Sequence, residues 1–218
     1  MIYISIFILL ILTIIYIYKN YIEKYDIDSV FLISLKKDEE RRNKIISNIN
    51  VNYIYSFNGN RINRNYLLKH GILNDNKRQL TKGEIGCYFS HLHMITKAVR
   101  HKKIILVLED DVEIDNNKLE NIKKAINEAP KDFKILFVGY NYYEPFSDFK
   151  KIDLIYGLQS YVVNGKNISL NELNSLLPIE DPIDIILPLK IKKSYIIQPK
   201  ICNLNSEFQD ESNTQNII

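Results

Sequence analysis

The chain has 218 residues, of which 46% are hydrophobic and 25% charged, proportions that are ordinary for a globular protein and exclude intrinsic disorder and collagen-like architecture. Lysine and arginine number 29 against 26 aspartate and glutamate, a net charge of +3 with no basic block, so no nucleic-acid partner is predicted. Two cysteines, Cys87 and Cys202, exclude a disulfide framework and a four-cysteine zinc site, and leave open whether they pair with each other.

The first 18 residues carry no charge and predict one N-terminal transmembrane helix. A helix of that length spans about 27 Å, close to the hydrocarbon thickness of a bilayer. Tyr18 ends the run and Lys19 follows it, an aromatic and basic border of the kind found at a membrane interface. A cleaved signal peptide is the alternative, but no basic residue precedes the run and no small-residue cleavage site follows it. We therefore predict a single-pass membrane protein with an anchor and linker over residues 1–28, and leave open which side of the membrane carries the rest.

After the linker, short apolar runs alternate with helical patterns. The apolar runs predict strands at residues 30–35, 53–57, 104–108, 135–139, 160–163 and 195–197. The helical patterns predict helices at residues 37–48, 81–100, 116–128 and 170–177. Thr81 and Glu84 predict a capping box at the start of the longest helix. This alternation predicts an α/β fold with a mostly parallel sheet flanked by helices, and the polar chain from Asn203 predicts a loose tail.

Glu109, Asp110 and Asp111 directly follow the apolar run at residues 104–108. In an open α/β sheet, ligands bind at the carboxyl ends of the strands. Three adjacent carboxylates repel one another unless water or a cation neutralises them. Carboxylate oxygens suit Mg²⁺ or Mn²⁺, and such a metal commonly bridges a diphosphate. The triplet alone therefore favours two interpretations equally, a solvated acidic loop and a metal-diphosphate site.

Residue spacing argues against several other sites. An EF-hand loop that begins at Asp111 would need glycine and glutamate where the chain has Asn116 and Ile122. A metal-dependent phosphohydrolase would need an aspartate nucleophile where Glu109 stands, which makes it the weakest candidate. His91 and His93 lie two residues apart, so a helix points them to different sides and they are not a metal pair. For His91, a structural hydrogen bond is the plain alternative to a functional role.

Five motifs occur in a fixed order between residues 30 and 203. They are FLISL at 31–35 with Arg41 six residues later, LTKGEIGCYFSH at 80–91, LVLEDD at 106–111, GLQSYVV at 157–163 and PID at 182–184. The second and third motifs are long and specific. Together the five resemble glycosyltransferase family 25, the family of bacterial lipopolysaccharide galactosyltransferases and animal procollagen galactosyltransferases.

The resemblance implies a GT-A-type, Rossmann-like domain over residues 29–203 and a polar tail over residues 204–218. It implies inverting transfer of a hexose, galactose or glucose, from a UDP-sugar to a hydroxyl of a glycan or protein acceptor, with Mn²⁺ or Mg²⁺ as cofactor. By this resemblance Glu109 and Asp111 are metal ligands and Asp110 belongs to the same metal and diphosphate site. Ser34 and Arg41 are expected at the nucleotide edge.

A carboxylate must also accept the proton of the acceptor hydroxyl. The resemblance makes Asp184 the first candidate for this base and Glu84 the second, while His91 lines the donor or acceptor cleft. The chain departs from the family where Ser34 replaces a usual Asn and Ile95 a frequent Trp. These departures leave a second hypothesis, a catalytically inactive binding module that keeps the glycosyltransferase fold.

Overall fold

The computed structural model describes residues 25–141, 150–151 and 155–208, which form a mixed sheet with helices on both faces. Its strands are β1 Ser29–Ile33, β2 Tyr53–Tyr55, β3 Ile104–Glu109, β4 Val112–Glu113, β5 Ile135–Gly139, β6 Lys150–Lys151, β7 Ser160–Asn164, β8 Ser194–Ile196 and β9 Asn203–Leu204. Its helices are α1 Glu39–Asn48, α2 Arg64–Lys69, α3 Lys82–His101, α4 Asn116–Glu128, α5 Leu170–Asn174 and α6 Ile183–Lys190. Two 3₁₀ turns cover Gly59–Arg61 and Ser206–Phe208.

The main sheet has seven strands in the order β2-β1-β3-β7-β5-β8-β6. β1 pairs in parallel with β2 and β3, and β5 pairs in parallel with β8. β7 lies antiparallel between β3 and β5, and β6 lies antiparallel to β8. Five of these seven strands therefore point the same way, which confirms the predicted mostly parallel sheet flanked by helices.

The core lies on both faces of the sheet because successive strand residues point to opposite sides. In β3, Ile105 and Val107 pack into the cluster that contains α3 and α6. Leu106 and Leu108 pack into the other cluster, beside α1 and α4. All four are fully buried, and burial of each such side chain stabilises the fold by about 1.5–3 kcal/mol. The continuous apolar run of β3 thus reflects burial on two faces.

The two cysteines lie on different faces of the sheet and do not pair. Both are free thiols. Cys87 lies on α3 and packs against the α3 cluster, whereas Cys202 is fully buried in the cluster beside α4. The sheet between them rules out a bridge in this fold.

Every strand and helix predicted from periodicity is present, with ends displaced by at most three residues. The prediction missed α2 and α6 and the two-residue strands β4, β6 and β9. Helix α6 contains Pro188, which removes a backbone donor and reads as a helix breaker in sequence. Two-residue strands are too short to show any period.

The chain from Asn203 to Phe208 differs from the predicted loose tail. β9 pairs antiparallel with β4, with Leu204 opposite Val112. The Asn205 N–H donates to the carbonyl of Asp111 at 2.7 Å. The prediction of a loose chain is therefore wrong for residues 203–208, because contacts with distant parts of the chain hold them in place.

The predicted membrane anchor at residues 1–18 lies outside the described residues. Within the described part of the chain, none of the helices combines the length and apolar character that a bilayer span needs. The longest, α3, has 20 residues but includes Lys82 and Glu84. The anchor stays a prediction.

Candidate active site

The carboxylate triplet lies at the carboxyl end of β3, which is an interior strand of the sheet. Glu109 is the last residue of β3, and its N–H donates to the carbonyl of Gln159 at 2.9 Å. Asp110 and Asp111 form the turn into β4. The three carboxylates thus stand where the sequence predicted them, at an edge of the sheet that commonly binds ligands.

Because successive side chains of β3 alternate between the two faces of the sheet, the first two carboxylates of the triplet point to opposite faces. Glu109 continues the odd-numbered side chains toward α3, where His91 and Cys87 meet it. Asp110 continues the even-numbered side chains toward α1, where Arg41 meets it. Two residues adjacent in sequence therefore have different partners.

Asp110 is held by the partners that the resemblance grouped at the nucleotide edge. Arg41 Nη1 lies 3.7 Å from Asp110 Oδ1, and the Ser34 side chain hydrogen-bonds the same carboxyl group. The three residues are only 5–8% exposed. Burial raises the pKa of Asp110 to about 6, against the opposing effects of Ser34 and Arg41. Arg41 also lies over the ring of Phe208, with 5.0 Å between its guanidinium carbon and the ring centroid.

Glu109 shares a buried hydrogen-bond chain with His91 and Tyr161. His91 Nε2 lies 3.0 Å from Glu109 Oε1, and His91 Nδ1 lies 2.9 Å from Tyr161 Oη. Burial raises the pKa of Glu109 to about 8 and lowers the pKa of His91 to about 3. Near neutral pH both groups are therefore uncharged, and the tautomer of the imidazole sets which ring nitrogen donates its proton. The structural hydrogen bond that the sequence offered as the plain alternative for His91 is present.

Asp111 combines burial with an unsatisfied oxygen. Its Oδ1 atom is buried and has no hydrogen-bond partner among the residues that the structure describes. Burial, followed by the charge of Glu109, raises the pKa of Asp111 to about 7, while Arg41 opposes the increase. A buried carboxylate oxygen without a donor is costly unless a cation or water contacts it.

The side chain of Glu84 caps the first turn of α3. Its Oε2 accepts the N–H of Thr81, and its own N–H donates to the Thr81 hydroxyl, which confirms the predicted capping box. Its Oε1 pairs with Arg78. The structure thus places Glu84 in a capping and ion-pairing role at the start of α3.

The glycines and serine of the second motif set the position of α3. A Cβ atom at Gly86 would lie 2.7 Å from the backbone nitrogen of Gly59 and 2.9 Å from the carbonyl oxygen of Phe57. Ser90 Oγ accepts the N–H of Phe57 and donates to the Gly86 carbonyl, both at 2.8 Å. Because these contacts bring α3 close to the 57–59 loop, they fix the side of the helix that presents His91 to Glu109.

Asp184 lies in the first turn of α6, near Glu109 and His91. Its Oδ2 accepts the N–H of Gly157 at 3.1 Å. Its charge acts on His91 and Glu109, which places it within electrostatic reach of both. Gly157 has φ +72°, and a side chain there would also collide with Asn141, so the motif glycine shapes the loop that anchors Asp184.

Four polar residues that the sequence did not single out also belong to the site. They are Cys87, Asn141, Gln159 and Tyr161. Cys87, Gln159 and Tyr161 lie inside motifs, and the four-residue spacing of Cys87 and His91 was a usable signal that they share a helix face. No pattern marked Gln159 itself as a polar residue of the site. It is 2% exposed, donates to the side chain of Asn141, and keeps a buried Oε1 atom unpaired among the described residues.

Comparison with known proteins shows the family of this chain. Residues 27–201 match the model of glycosyltransferase family 25, described as an LPS biosynthesis protein. Procollagen galactosyltransferase 2 of Mus musculus is 26% identical over 206 residues, which cover 83% of this chain and 33% of that protein. A glycosyltransferase 25 family member of Drosophila melanogaster is 28% identical over 184 residues, 76% of this chain and 30% of that protein.

A third relative carries a different name. The inactive glycosyltransferase 25 family member 3 of Homo sapiens is 24% identical over 204 residues, 79% of this chain and 34% of that protein. The chain spans about a third of the length of these curated relatives. Because the family model matches most of the chain and the motifs converge on one edge of the sheet, this chain belongs to glycosyltransferase family 25.

Proposed function

We propose that this chain is a glycosyltransferase that moves a hexose, galactose or glucose, from a UDP-sugar to a hydroxyl of a glycan or protein. The observation that carries the proposal is the buried, unpaired Oδ1 of Asp111 at the carboxyl edge of β3, in a chain that belongs to glycosyltransferase family 25. The names of its galactosyltransferase relatives favour galactose. The strand order, with β7 antiparallel in a mostly parallel sheet, supports a GT-A-type fold.

The residues at the sheet edge fit a hard divalent cation. Among the described residues nothing donates to the buried Oδ1 of Asp111, and the pKa of this carboxyl group is raised, as expected for a carboxylate that lacks its counter-ion. Asp111 would hold Mn²⁺ or Mg²⁺, whereas Glu109, the other metal ligand that the resemblance implies, is turned toward His91 and Cys87. When bound, the metal supplies positive charge that stabilises the negative charge on the departing UDP. Ser34 and Arg41 would line the nucleotide beside it.

The transfer needs a base on the acceptor. The acceptor oxygen forms a bond to the anomeric carbon of the hexose, the bond from that carbon to the diphosphate breaks, and UDP leaves with the electron pair. Asp184 accepts the proton that the acceptor hydroxyl loses, since its carboxylate lies within electrostatic reach of Glu109 and His91. Glu84 is the second candidate, because its Oε1 is ion-paired with Arg78, whereas the two oxygens of Asp184 accept the backbone N–H groups of Ile185 and Gly157.

The experiment compares two Asp→Asn variants of the full chain, extracted in detergent from the membrane fraction. Recovery there also supports the proposed single-pass anchor at residues 1–18, whose orientation stays open. With UDP-galactose or UDP-glucose, Mn²⁺ and a panel of acceptors, wild type should release UDP and form product. Asp111→Asn should lower turnover by about 100-fold or more, because charge stabilisation of the leaving group is lost.

Asp115→Asn is the matched control. Asp115 caps α4, and Asn caps a helix as well as Asp does, so this variant should keep activity. Equal turnover in wild type and Asp111→Asn would show that the metal assignment is wrong. The acceptor panel should include lipopolysaccharide core, another glycan and a hydroxylysine-bearing protein.

An inactive binding module is the second candidate. It is favoured by the human relative whose name marks it inactive and by Ser34 and Ile95 at positions where the resemblance expects other residues. Calorimetry separates the two functions. Binding of UDP and Mn²⁺ without hydrolysis or transfer to any acceptor supports the module, whereas turnover supports the enzyme.

A further inference from the structure

A thiol, an imidazole and a carboxylate converge on the α3 side of the site. Cys87 and His91 lie one helical turn apart on α3, and Glu109 faces them from the end of β3. One ligand atom from each residue lies within 4.8 Å of the other two. Cys87 Sγ is 3.9 Å from Glu109 Oε1, and His91 Nε2 is 3.0 Å from the same oxygen. Two ligands of a tetrahedral zinc ion lie about 3.3–3.6 Å apart, and the two measured distances bracket that value.

The imidazole is already oriented for a metal. His91 Nδ1 is hydrogen-bonded to Tyr161 Oη at 2.9 Å, and both residues are fully buried. This bond fixes the ring and directs Nε2 at Glu109. Metal-binding histidines commonly have such a second partner on the other ring nitrogen, which sets the tautomer and the ring plane.

The ligand types select the metal. A thiolate and an imidazole favour Zn²⁺ over the hard cations Mn²⁺ and Mg²⁺, which prefer oxygen. Three protein ligands leave one zinc position open. The side chain of Glu109 is 26% exposed and Cys87 is half-buried, so this position would be open to solvent, while the fully buried His91 closes the other side.

We propose that Cys87, His91 and Glu109 form a zinc-binding site that is separate from the hard-cation site at Asp111. A zinc ion there would join α3 to the end of β3 and would displace the protons that Cys87 and Glu109 carry near neutral pH. The proposal does not rest on transfer activity, because zinc binding can be measured without turnover. Failure of the zinc site would leave the transferase function untouched, and the reverse also holds.

The test uses the full chain, stripped of metal with a chelator and titrated with Co²⁺ and then Zn²⁺. One equivalent of Co²⁺ should give a near-ultraviolet thiolate charge-transfer band, and Zn²⁺ should abolish it by displacement. Zn²⁺ should also raise the melting temperature, since it binds the folded chain. Excess Mn²⁺ should not displace the zinc. Absence of the band, or displacement by Mn²⁺, would overturn the proposal.

Variants assign the ligands. Cys87→Ser should abolish the band and weaken zinc binding by more than about 100-fold, whereas Tyr161→Phe, which removes the outer hydrogen bond, should weaken it by about 10-fold. Cys202→Ser and His93→Asn are the matched controls, since neither residue is among the three ligands, and both should keep the band. A band that survives Cys87→Ser or disappears in Cys202→Ser contradicts the site.

X-ray absorption of the wild-type zinc complex tests the site without any variant. The expected shell has one sulfur at about 2.3 Å and nitrogen or oxygen ligands at about 2.0 Å. A shell of oxygen and nitrogen alone would refute the proposal even if every variant failed to fold.

Discussion

Glu109 and Asp110 are adjacent carboxylates whose surroundings differ because they face opposite sides of the sheet. Glu109 meets the neutral imidazole of His91, and burial raises its pKa to about 8. Asp110 meets the guanidinium of Arg41 and the hydroxyl of Ser34, which hold its raised pKa at about 6. Burial acts on both carboxyl groups, so the facing helix decides how much charge each keeps near neutral pH.

The difference shows how one short acidic segment can serve two purposes. The α1 side brings a permanent cation to the sheet edge, which suits a site for an anionic diphosphate. The α3 side brings a thiol and a neutral imidazole, which suit a borderline metal. Three experiments test this contrast between the Arg41 side and the His91 side.

Removing the cation should give the largest effect. Arg41→Ala leaves Asp110 buried without its charged partner, and loss of one member of a buried pair costs about 3 kcal/mol or more. The free energy of unfolding, measured by urea titration at pH 7, should fall by that amount. Asp110→Asn in the same chain should restore part of it, because the stranded charge is removed.

Arg42→Ala is the control for this change. Arg42 lies on the same helix and donates to the carbonyl of Leu35 at 3.1 Å, without a buried carboxylate partner in the described residues. Its loss should cost about 1 kcal/mol, the value of one hydrogen bond. Equal losses in the two variants would mean that the Asp110 pair does not set the stability of this side.

Between pH 7 and 8, the free energy of unfolding should depend on pH through Glu109 on the His91 side and very little through Asp110 on the Arg41 side. The pKa of Glu109 is 4.5 in the reference state and about 8 in the fold, so the folded chain keeps a proton that the unfolded chain has lost. The contribution of Glu109 to the free energy of unfolding is therefore most favourable below about pH 4.5, and it falls as the pH rises toward 8. His91, with its lowered pKa, has the opposite slope, but only between about pH 3 and 6.5.

The window in which Glu109 contributes most is pH 7 to 8, with a chelator present. Its titration alone should lower the unfolding free energy of wild type by about 1 kcal/mol across this window. Glu109→Gln should lose most of this fall, because the amide does not titrate and only the upper part of the Asp111 titration, with a pKa of about 7, remains. Glu113→Gln, which changes an exposed carboxylate nearby, should keep the wild-type fall. The same slope in all three proteins would show that Glu109 ionises normally.

The smallest effect concerns the C-terminal segment on the Arg41 side. Phe208→Ala removes the ring that lies under Arg41 and should cost about 0.5–1 kcal/mol of unfolding free energy. Phe208→Leu keeps apolar contact but has no π face, so it should lose most of the same amount. Full stability in the Leu variant would assign the contribution to apolar contact instead.

Local patterns predicted much of the fold because their causes are local. The continuous apolar run of β3 and the Thr81–Glu84 capping box each depend on neighbours within a few residues, and both are present. The position of the triplet at a strand end followed from the same run. Helix α6, with Pro188 inside it, was missed because packing against the core overrides the local preference.

The candidate site was predicted in part. The resemblance expected Asp110 in the metal and diphosphate site and Ser34 and Arg41 at the nucleotide edge, and the structure brings the three side chains together. Nothing in the sequence showed that Cys87 and Glu109 would approach within 3.9 Å. That contact depends on how closely α3 packs, which Gly86 and its backbone neighbours set.

The sequence by itself determined the α/β class, the order of the elements, the family and the location of three carboxylates at one strand end. Each of these depends on periodicity or on an ordered motif, and both can be read directly from the sequence. Only the tertiary structure decided that Glu109 turns to His91 while Asp110 turns to Arg41, and that residues 203–208 return to the site. Charge state follows from burial and from partners distant in sequence, so the chemistry of each carboxylate depends on the packed fold.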